Sequence, residues 1–251
     1  MLPLKDKTAV VTGGGRKLGR AIAHGLSRAG ASVVITGRTE ESLAEAKRMI
    51  EEDTGRPVLV GVQDVRDEGA ANLLSNEVAE AFGGCDILVN NASGWLKGNL
   101  LDADPKEIDE AIDSTIKGPI FMVRAFWSLL SLAKPGYIVN ITTLGARPSR
   151  SNASPIYVAA KFGLAGFTDA LRRLAIKDGI LVTEILPGSI ASEYGIDEPS
   201  SSALEKYGKN RYPSVDIVDA VLFALTRSPN AMVEDIGLPS IGDWGQDYAR
   251  Y

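Results

Sequence analysis

Cysteine and histidine are almost missing from this 251-residue chain; Cys85 and His24 are the only ones. A single cysteine excludes an internal disulfide and fits a reducing, cytoplasmic setting. Cys85 sits at the mouth of an apolar run and reads as a packing residue. A single histidine excludes a His-based triad combined with a metal site, so no metal is expected and His24 reads as structural or surface. Basic excess is also missing. Lys and Arg number 27 against 32 Asp and Glu, a net charge of −5. That argues against a nucleic-acid surface or attraction to an anionic membrane. The pairs Arg16-Lys17 and Arg172-Arg173 fit phosphate contacts or plain surface. No run approaches the ~20 apolar residues of a membrane span. The stretch Met1 to Asp6 has no apolar segment, so neither a signal peptide nor an anchor is expected there. No short-period repeat or low-complexity tract appears.

What is present alternates. Short β-branched, apolar runs begin at Thr8, Ser32, Val58, Asp86, Tyr137 and Leu181, and a short final run covers Met232 to Leu238. Between them lie helical patterns over 41–53, 69–82, 105–132 and 156–176, and another over 214–225. The first helix follows a glycine turn, with Ala21, Ile22, Gly25, Leu26 and Ala29 at helical spacing. Gly118-Pro119 predicts a kink in the long helix over 105–132. Nothing marks a linker. Alternation with right-handed crossovers predicts one domain over 1–251: α/β, a doubly wound Rossmann-like parallel sheet with helices on both faces. Residues 189–212 are polar and rich in Ser, Gly and Pro, and read as a flexible lid or substrate loop.

In such a sheet, ligands bind beyond the carboxyl ends of the strands. The unusual residues fall there. The first strand opens into Thr12-Gly13-Gly14-Gly15-Arg16-Lys17-Leu18-Gly19. This is either an ordinary tight turn or a turn that lets backbone approach a pyrophosphate on a helix N-terminus. The second strand ends in Gly37-Arg38 rather than a carboxylate. With Arg16, two cations would flank a 2′-phosphate, which favours NADP(H) over NAD(H) as the cofactor; the bland alternative is that Arg38 covers the next helix. The third strand ends at Asp64, an acceptor for an adenine amino group or a simple cap. The fourth ends in Asn90-Asn91-Ala92-Ser93, the fifth in Thr142-Thr143, and the sixth in Pro187-Gly188.

Tyr157 and Lys161 stand at i and i+4, so they share one face of a helix. An ammonium beside a phenol predicts a phenol that loses its proton more easily, and so a general acid/base. Trp95, Lys97, Arg147, Arg150 and Tyr194 lie on segments that should edge a substrate pocket. The cations among them fit an anionic substrate group or merely solvated loops.

From about Leu4 to Leu238 the chain resembles the short-chain dehydrogenase/reductase family. The resemblance rests on the glycine turn, Asp64-Val65, Asn90-Asn91-Ala92, Tyr157 to Lys161, and Pro187-Gly188, all in order at the right strand ends. It implies NADP(H)-dependent interconversion of a small-molecule carbonyl and alcohol, with Tyr157 as acid/base and Lys161 lowering its pKa and holding the nicotinamide ribose. It places the family's substrate-orienting serine at Thr143, one residue further from the tyrosine than usual. Its helix asparagine falls at Thr115. Cofactor contacts are implied at Gly13, Gly15, Arg16, Lys17, Leu18, Gly19, Arg38, Asp64, Val65, Asn91, Ala92, Tyr157, Lys161, Pro187, Gly188, Ile190 and Ser192. Substrate contacts are implied at Trp95, Arg147 and Tyr194. A homotetramer or dimer built on the two long helices is implied as well.

The departures point elsewhere. Lys17 stands where the family's middle glycine is usual, and with Asn90 to Ser93 it resembles the pteridine-reductase branch. That branch's aspartate ahead of the tyrosine is missing, as is the frequent Asp-Gly-Gly ending. Thr115 and Thr143 motivate two alternatives: an NADP(H)-binding sensor or structural subunit, and a non-redox enzyme on the same fold.

Overall fold

The computed structural model describes residues 2–96, 100–146, 154–192, 205–206 and 208–244. Seven parallel strands form one sheet in the order β3-β2-β1-β4-β5-β6-β9. They are β1 (Thr8–Thr12), β2 (Ser32–Gly37), β3 (Val58–Val62), β4 (Ile87–Asn90), β5 (Gly136–Ile141), β6 (Ile180–Pro187) and β9 (Asp235–Leu238). β1 and β6 are buried throughout, as parallel strands covered on both faces must be. Helices α1 (Lys17–Arg28), α2 (Glu40–Thr54) and α7 (Ser214–Leu225) cover one face, over a core that includes Ile22, Ile35, Val89 and Ile217. Helices α3 (Glu68–Phe82), α4 (Pro105–Thr115), α5 (Lys117–Ala133) and α6 (Pro155–Ala175) lie towards the other. The core there includes Val10, Leu88, Phe126, Ile138 and Leu171. Cys85 is buried here, and burial pushes its thiol up to about 12, so it packs and does not react.

Strand order reverses between β1 and β4, and there the two strand ends diverge. They are clasped by side chains. The Thr12 hydroxyl accepts from the Asn91 and Ala92 backbone N–H groups, each at 3.0 Å. The Asn91 side chain donates back to Thr12 O at 2.9 Å. One strand further, Asn90 Nδ2 donates to Asn140 Oδ1 and Asn140 Nδ2 to Thr168 Oγ1 on α6, both at 2.8 Å.

Four expectations change. The long helix is not one bent at Gly118-Pro119: α4 ends at Thr115 and α5 begins at Lys117, with Ile116 at φ −112° between them. Pro119 has no N–H for the Thr115 carbonyl, so the break falls on its N-terminal side and the proline sits in the first turn of α5. Taken together, Pro105–Ala133 is long and apolar enough to span a membrane by length and composition, contrary to expectation. The break divides it, and Met122, Val123, Phe126 and Leu130 are buried in the core beneath the sheet. The final strand begins at Asp235 rather than Met232, where pairing with Glu184 of β6 starts. The 189–212 segment is not loose at its ends. β7 (Ile190–Ala191) pairs in parallel with β8 (Tyr212–Pro213). The Tyr212 hydroxyl donates to Leu238 O at 2.6 Å and accepts from Gly188 N at 3.0 Å.

The clasp sets a stability prediction. Thr12→Val leaves two backbone N–H groups without their acceptor and should lower unfolding free energy by about 2–4 kcal/mol in denaturant titration. Thr12→Ser keeps the acceptor and should cost about 1 kcal/mol or less. Equal effects of the two would show that the hydroxyl holds nothing.

Candidate active site

A cleft of about 1060 Å³ runs along the carboxyl ends of the strands. All seventeen residues expected to contact a cofactor line it, as do Thr143 and Trp95. At one end the glycine turn forms a cradle. Gly13 has φ +65°, and a Cβ on Gly19 would overlap Gly13 O and crowd Asn91 Nδ2 at 2.5 Å. No side chain caps the N-terminus of α1 at Arg16, so its first N–H groups face the cleft end uncovered by a side chain. A cradle of glycine backbone at a helix N-terminus fits a pyrophosphate. Lys17 has φ +50°, the left-handed region in which a side chain is strained. That is why glycine is usual at this position.

Beyond the turn, Arg38 extends from β2 with its side chain 61% exposed, 3.8 Å from Asp64 and 3.6 Å from Glu110. Asp64 is engaged by Arg66, which donates from Nε at 3.0 Å and from Nη2 at 2.7 Å. The Arg66 guanidinium holds the Asp64 carboxyl below its ordinary range. Asp64 is therefore an arginine anchor before it is an acceptor for anything else. Sequence reasoning did not single out Arg66 or Glu110. The Asp64-Val65-Arg66 spacing carried a weak signal for the first; the second needed the packing of α4 over the cleft.

At the other end, Tyr157 stands in the first turn of α6. Just past β5 the Thr143 hydroxyl donates to Pro187 O at 3.4 Å and accepts from Gly145 N at 3.2 Å, and Trp95 lies against the Tyr157 ring at a centroid distance of 4.7 Å. Lys161 is buried, 2% exposed, and Nζ donates to Ile141 O at 2.7 Å. It stands 5.8 Å from the centre of the Tyr157 ring. The i, i+4 spacing predicts a lowered phenol pKa, and the structure reverses that direction. Burial pushes Tyr157 up, and the Thr143 hydroxyl offsets only part of the rise. Burial also takes the Lys161 ammonium down to about 7, against the opposing Glu184 charge.

Thr115 is buried outside the cleft lining; its hydroxyl accepts from Gly94 N at 3.1 Å and so holds the loop carrying Trp95. The side chains of Asn90 and Asn91 tie strands together, and Asn91 also lines the cleft. His24 bonds Asp53 at 2.9 Å on the back of α1, as a structural histidine. Asp243, also unanticipated, accepts from the Ser189 hydroxyl at 2.9 Å and from Ser240 N at 2.7 Å, fixing the turn after Pro187-Gly188. Arg147 and Tyr194, like Lys97 and Arg150, lie outside the described residues.

The sheet order, the glycine turn and the cleft at the switch point define a Rossmann-like nucleotide fold. The short chain dehydrogenase family pattern matches residues 7–201. An uncharacterized oxidoreductase of Staphylococcus aureus is 33% identical over 237 residues, 94% of this chain and 98% of its own. A solved structure described as a short-chain alcohol dehydrogenase, of Sinorhizobium meliloti, is 33% identical with TM-score 0.81, covering 96% of this chain and 98% of its own. A metagenomic short-chain oxidoreductase, solved in complex with NADP, is 29% identical with TM-score 0.79, covering 94% and 98%. The chain belongs to the short-chain dehydrogenase/reductase family of oxidoreductases.

The buried lysine sets a pH prediction. Its folded pKa of about 7 lies below the ordinary value, so between about pH 7 and 10 the unfolded chain binds the extra proton and stability rises with pH. Below about pH 7 both states hold the proton and the full cost of burying the charge is present. Relative to Lys161→Met, the native chain should therefore gain about 3–4 kcal/mol between pH 7 and 10 in paired denaturant titrations. A flat difference would place the lysine in contact with water.

Proposed function

We propose that this protein is an NADP(H)-dependent carbonyl reductase in which Tyr157 is the proton donor. The observation that carries the reading is that Thr143, Tyr157 and buried Lys161 line one cleft together with the glycine cradle. Arg38 in place of a carboxylate supports NADP(H), as does the NADP complex of the metagenomic relative. Gly13, Gly15 and Gly19 would take the pyrophosphate, Arg16 and Arg38 the 2′-phosphate, and Lys161 the nicotinamide ribose. Pro187, Gly188, Ile190 and Ser192 would border the nicotinamide. When bound, the reduced nicotinamide supplies hydride to the carbonyl carbon.

The chain's own residues supply the rest. The Thr143 hydroxyl holds the substrate oxygen, and the Tyr157 phenol gives that oxygen its proton. A phenol whose pKa is raised stays protonated at neutral pH, so the site is set for donation. Nearby Lys161, protonated below about pH 7, stabilises the phenolate left behind. Trp95, 62% exposed and stacked against Tyr157, walls the substrate side with an aromatic face. Thr115 acts on the same wall through Gly94. Exposed Leu132, Phe162 and Leu174 on α5 and α6 support a homo-oligomer, which light scattering checks directly.

Tyr157→Phe should cut turnover of NADPH with a ketone and aldehyde panel by about 10²–10⁴-fold while leaving NADPH affinity within a few-fold. Retained turnover would sink the assignment. Arg38→Ala should weaken 2′,5′-ADP by about tenfold in calorimetry and leave 5′-AMP nearly unchanged, the mark of a lost charge-assisted contact to the 2′-phosphate. Equal weakening of both nucleotides would remove the case for NADP(H).

A further inference from the structure

The reading above gives Glu184 no role beyond its charge, yet it is a carboxylate in the middle of the sheet. It pairs in register with Asn140 of β5 and is 3% exposed. By strand alternation its side chain shares the face of Val182, the face that α6 covers. A carboxylate in such a place is retained only where surrounding groups compensate its lost hydration. The Thr142 hydroxyl donates to Glu184 Oε1 at 2.6 Å. Thr142 directly follows Ile141, whose carbonyl accepts from Lys161 Nζ at 2.7 Å. The buried anion and the buried cation thus flank one residue step of chain at the end of β5. Solvent is excluded from both, and attraction there is least screened.

We propose that Glu184 is a positioning residue for Lys161: a buried counter-charge, aimed by the Thr142 hydroxyl, that keeps the lysine protonated at the reacting end of the cleft. Among the described residues, the other charged groups nearby are already engaged or lie further along the cleft. On α6, Arg172 is fixed by Val182 O, Glu234 O and the Asp235 carboxylate at the sheet edge. Tyr157 lies one turn before Lys161. From α4, Glu107 and Glu110 line the cleft, the latter beside Arg38 and Arg66. The core-facing side chains of α5 and β4 are apolar or, at Asn90, uncharged. Burial depresses the Lys161 pKa, and the Glu184 charge is the influence that opposes the depression.

The inference rests on Tyr157 and Lys161 as the reacting pair, so the test reads Lys161 without turnover. The protein is labelled with [¹³Cε]lysine, and the Lys161 resonance is assigned by its loss in Lys161→Met. Titration then compares the native chain with Glu184→Gln, which keeps the side chain's size and an acceptor for Thr142. The Lys161 midpoint should fall by about one pH unit, or tenfold in the proton equilibrium. The alkaline limb of kcat should move to lower pH by a similar amount. Thr142→Val, which removes only the aiming hydroxyl, should shift the midpoint in the same direction by less, and it decides the matter if Glu184→Gln does not fold. An unmoved Lys161 midpoint in a folded variant overturns the proposal and leaves Glu184 a structural residue. Failure of the catalytic reading would show differently, as turnover retained in Tyr157→Phe.

Discussion

The cleft depends on a clasp where two strands part. β1 and β4 are neighbours in the sheet, but the chain leaves them in opposite directions, and the backbone just beyond β4 lies past its ladder with β1. Backbone N–H groups in such a place must find an acceptor. The Thr12 hydroxyl supplies it for Asn91 and Ala92, and the Asn91 amide returns the bond to Thr12 O. The glycine turn therefore starts from a fixed point. Its left-handed Gly13 and its close approach at Gly19 hold their shape because the strand ends beneath them cannot spread.

Much of this was legible in the sequence. The alternation of β-branched runs and helical periods was enough for the doubly wound sheet, because parallel strands covered on both faces need continuous apolar runs. The strand-end motifs were legible for a related reason: chain reversal there leaves only glycine, asparagine, threonine and proline as economical choices. The rest depended on distances between residues far apart in the chain. Glu110 meets Arg38 and Arg66 only because α4 crosses the cleft, and Asp243 reaches Ser189 across more than fifty residues. The helix break at Ile116 was misplaced by two residues because proline disturbs the turn before it rather than its own.

The sign of the Tyr157 shift shows the limit of spacing arguments. An i, i+4 neighbour brings two groups together but says nothing of the medium between them. At this site burial penalises the phenolate and the ammonium alike. The outcome is a phenol that holds its proton beside a lysine that nearly sheds its own. The protonation of both side chains is set as much by how deeply α6 is seated on β5 as by which residues it carries.

The short pairing of Ile190–Ala191 with Tyr212–Pro213 has a different kind of consequence. The segment between these strands begins and ends at neighbouring points, so most of its closure entropy is met by residues that belong to the framework. Lengthening a loop with its ends already joined costs little, about 0.6 kcal/mol per doubling. Insertions, deletions and substitutions between Ser192 and Arg211 can therefore accumulate with little effect on the sheet. In descent, this stretch is free to change while the cleft around Tyr157 keeps its geometry. The fold thus separates a stretch that can be rewritten from the framework that holds the cleft, and a graft of that stretch between relatives should leave the stability of the sheet nearly unchanged.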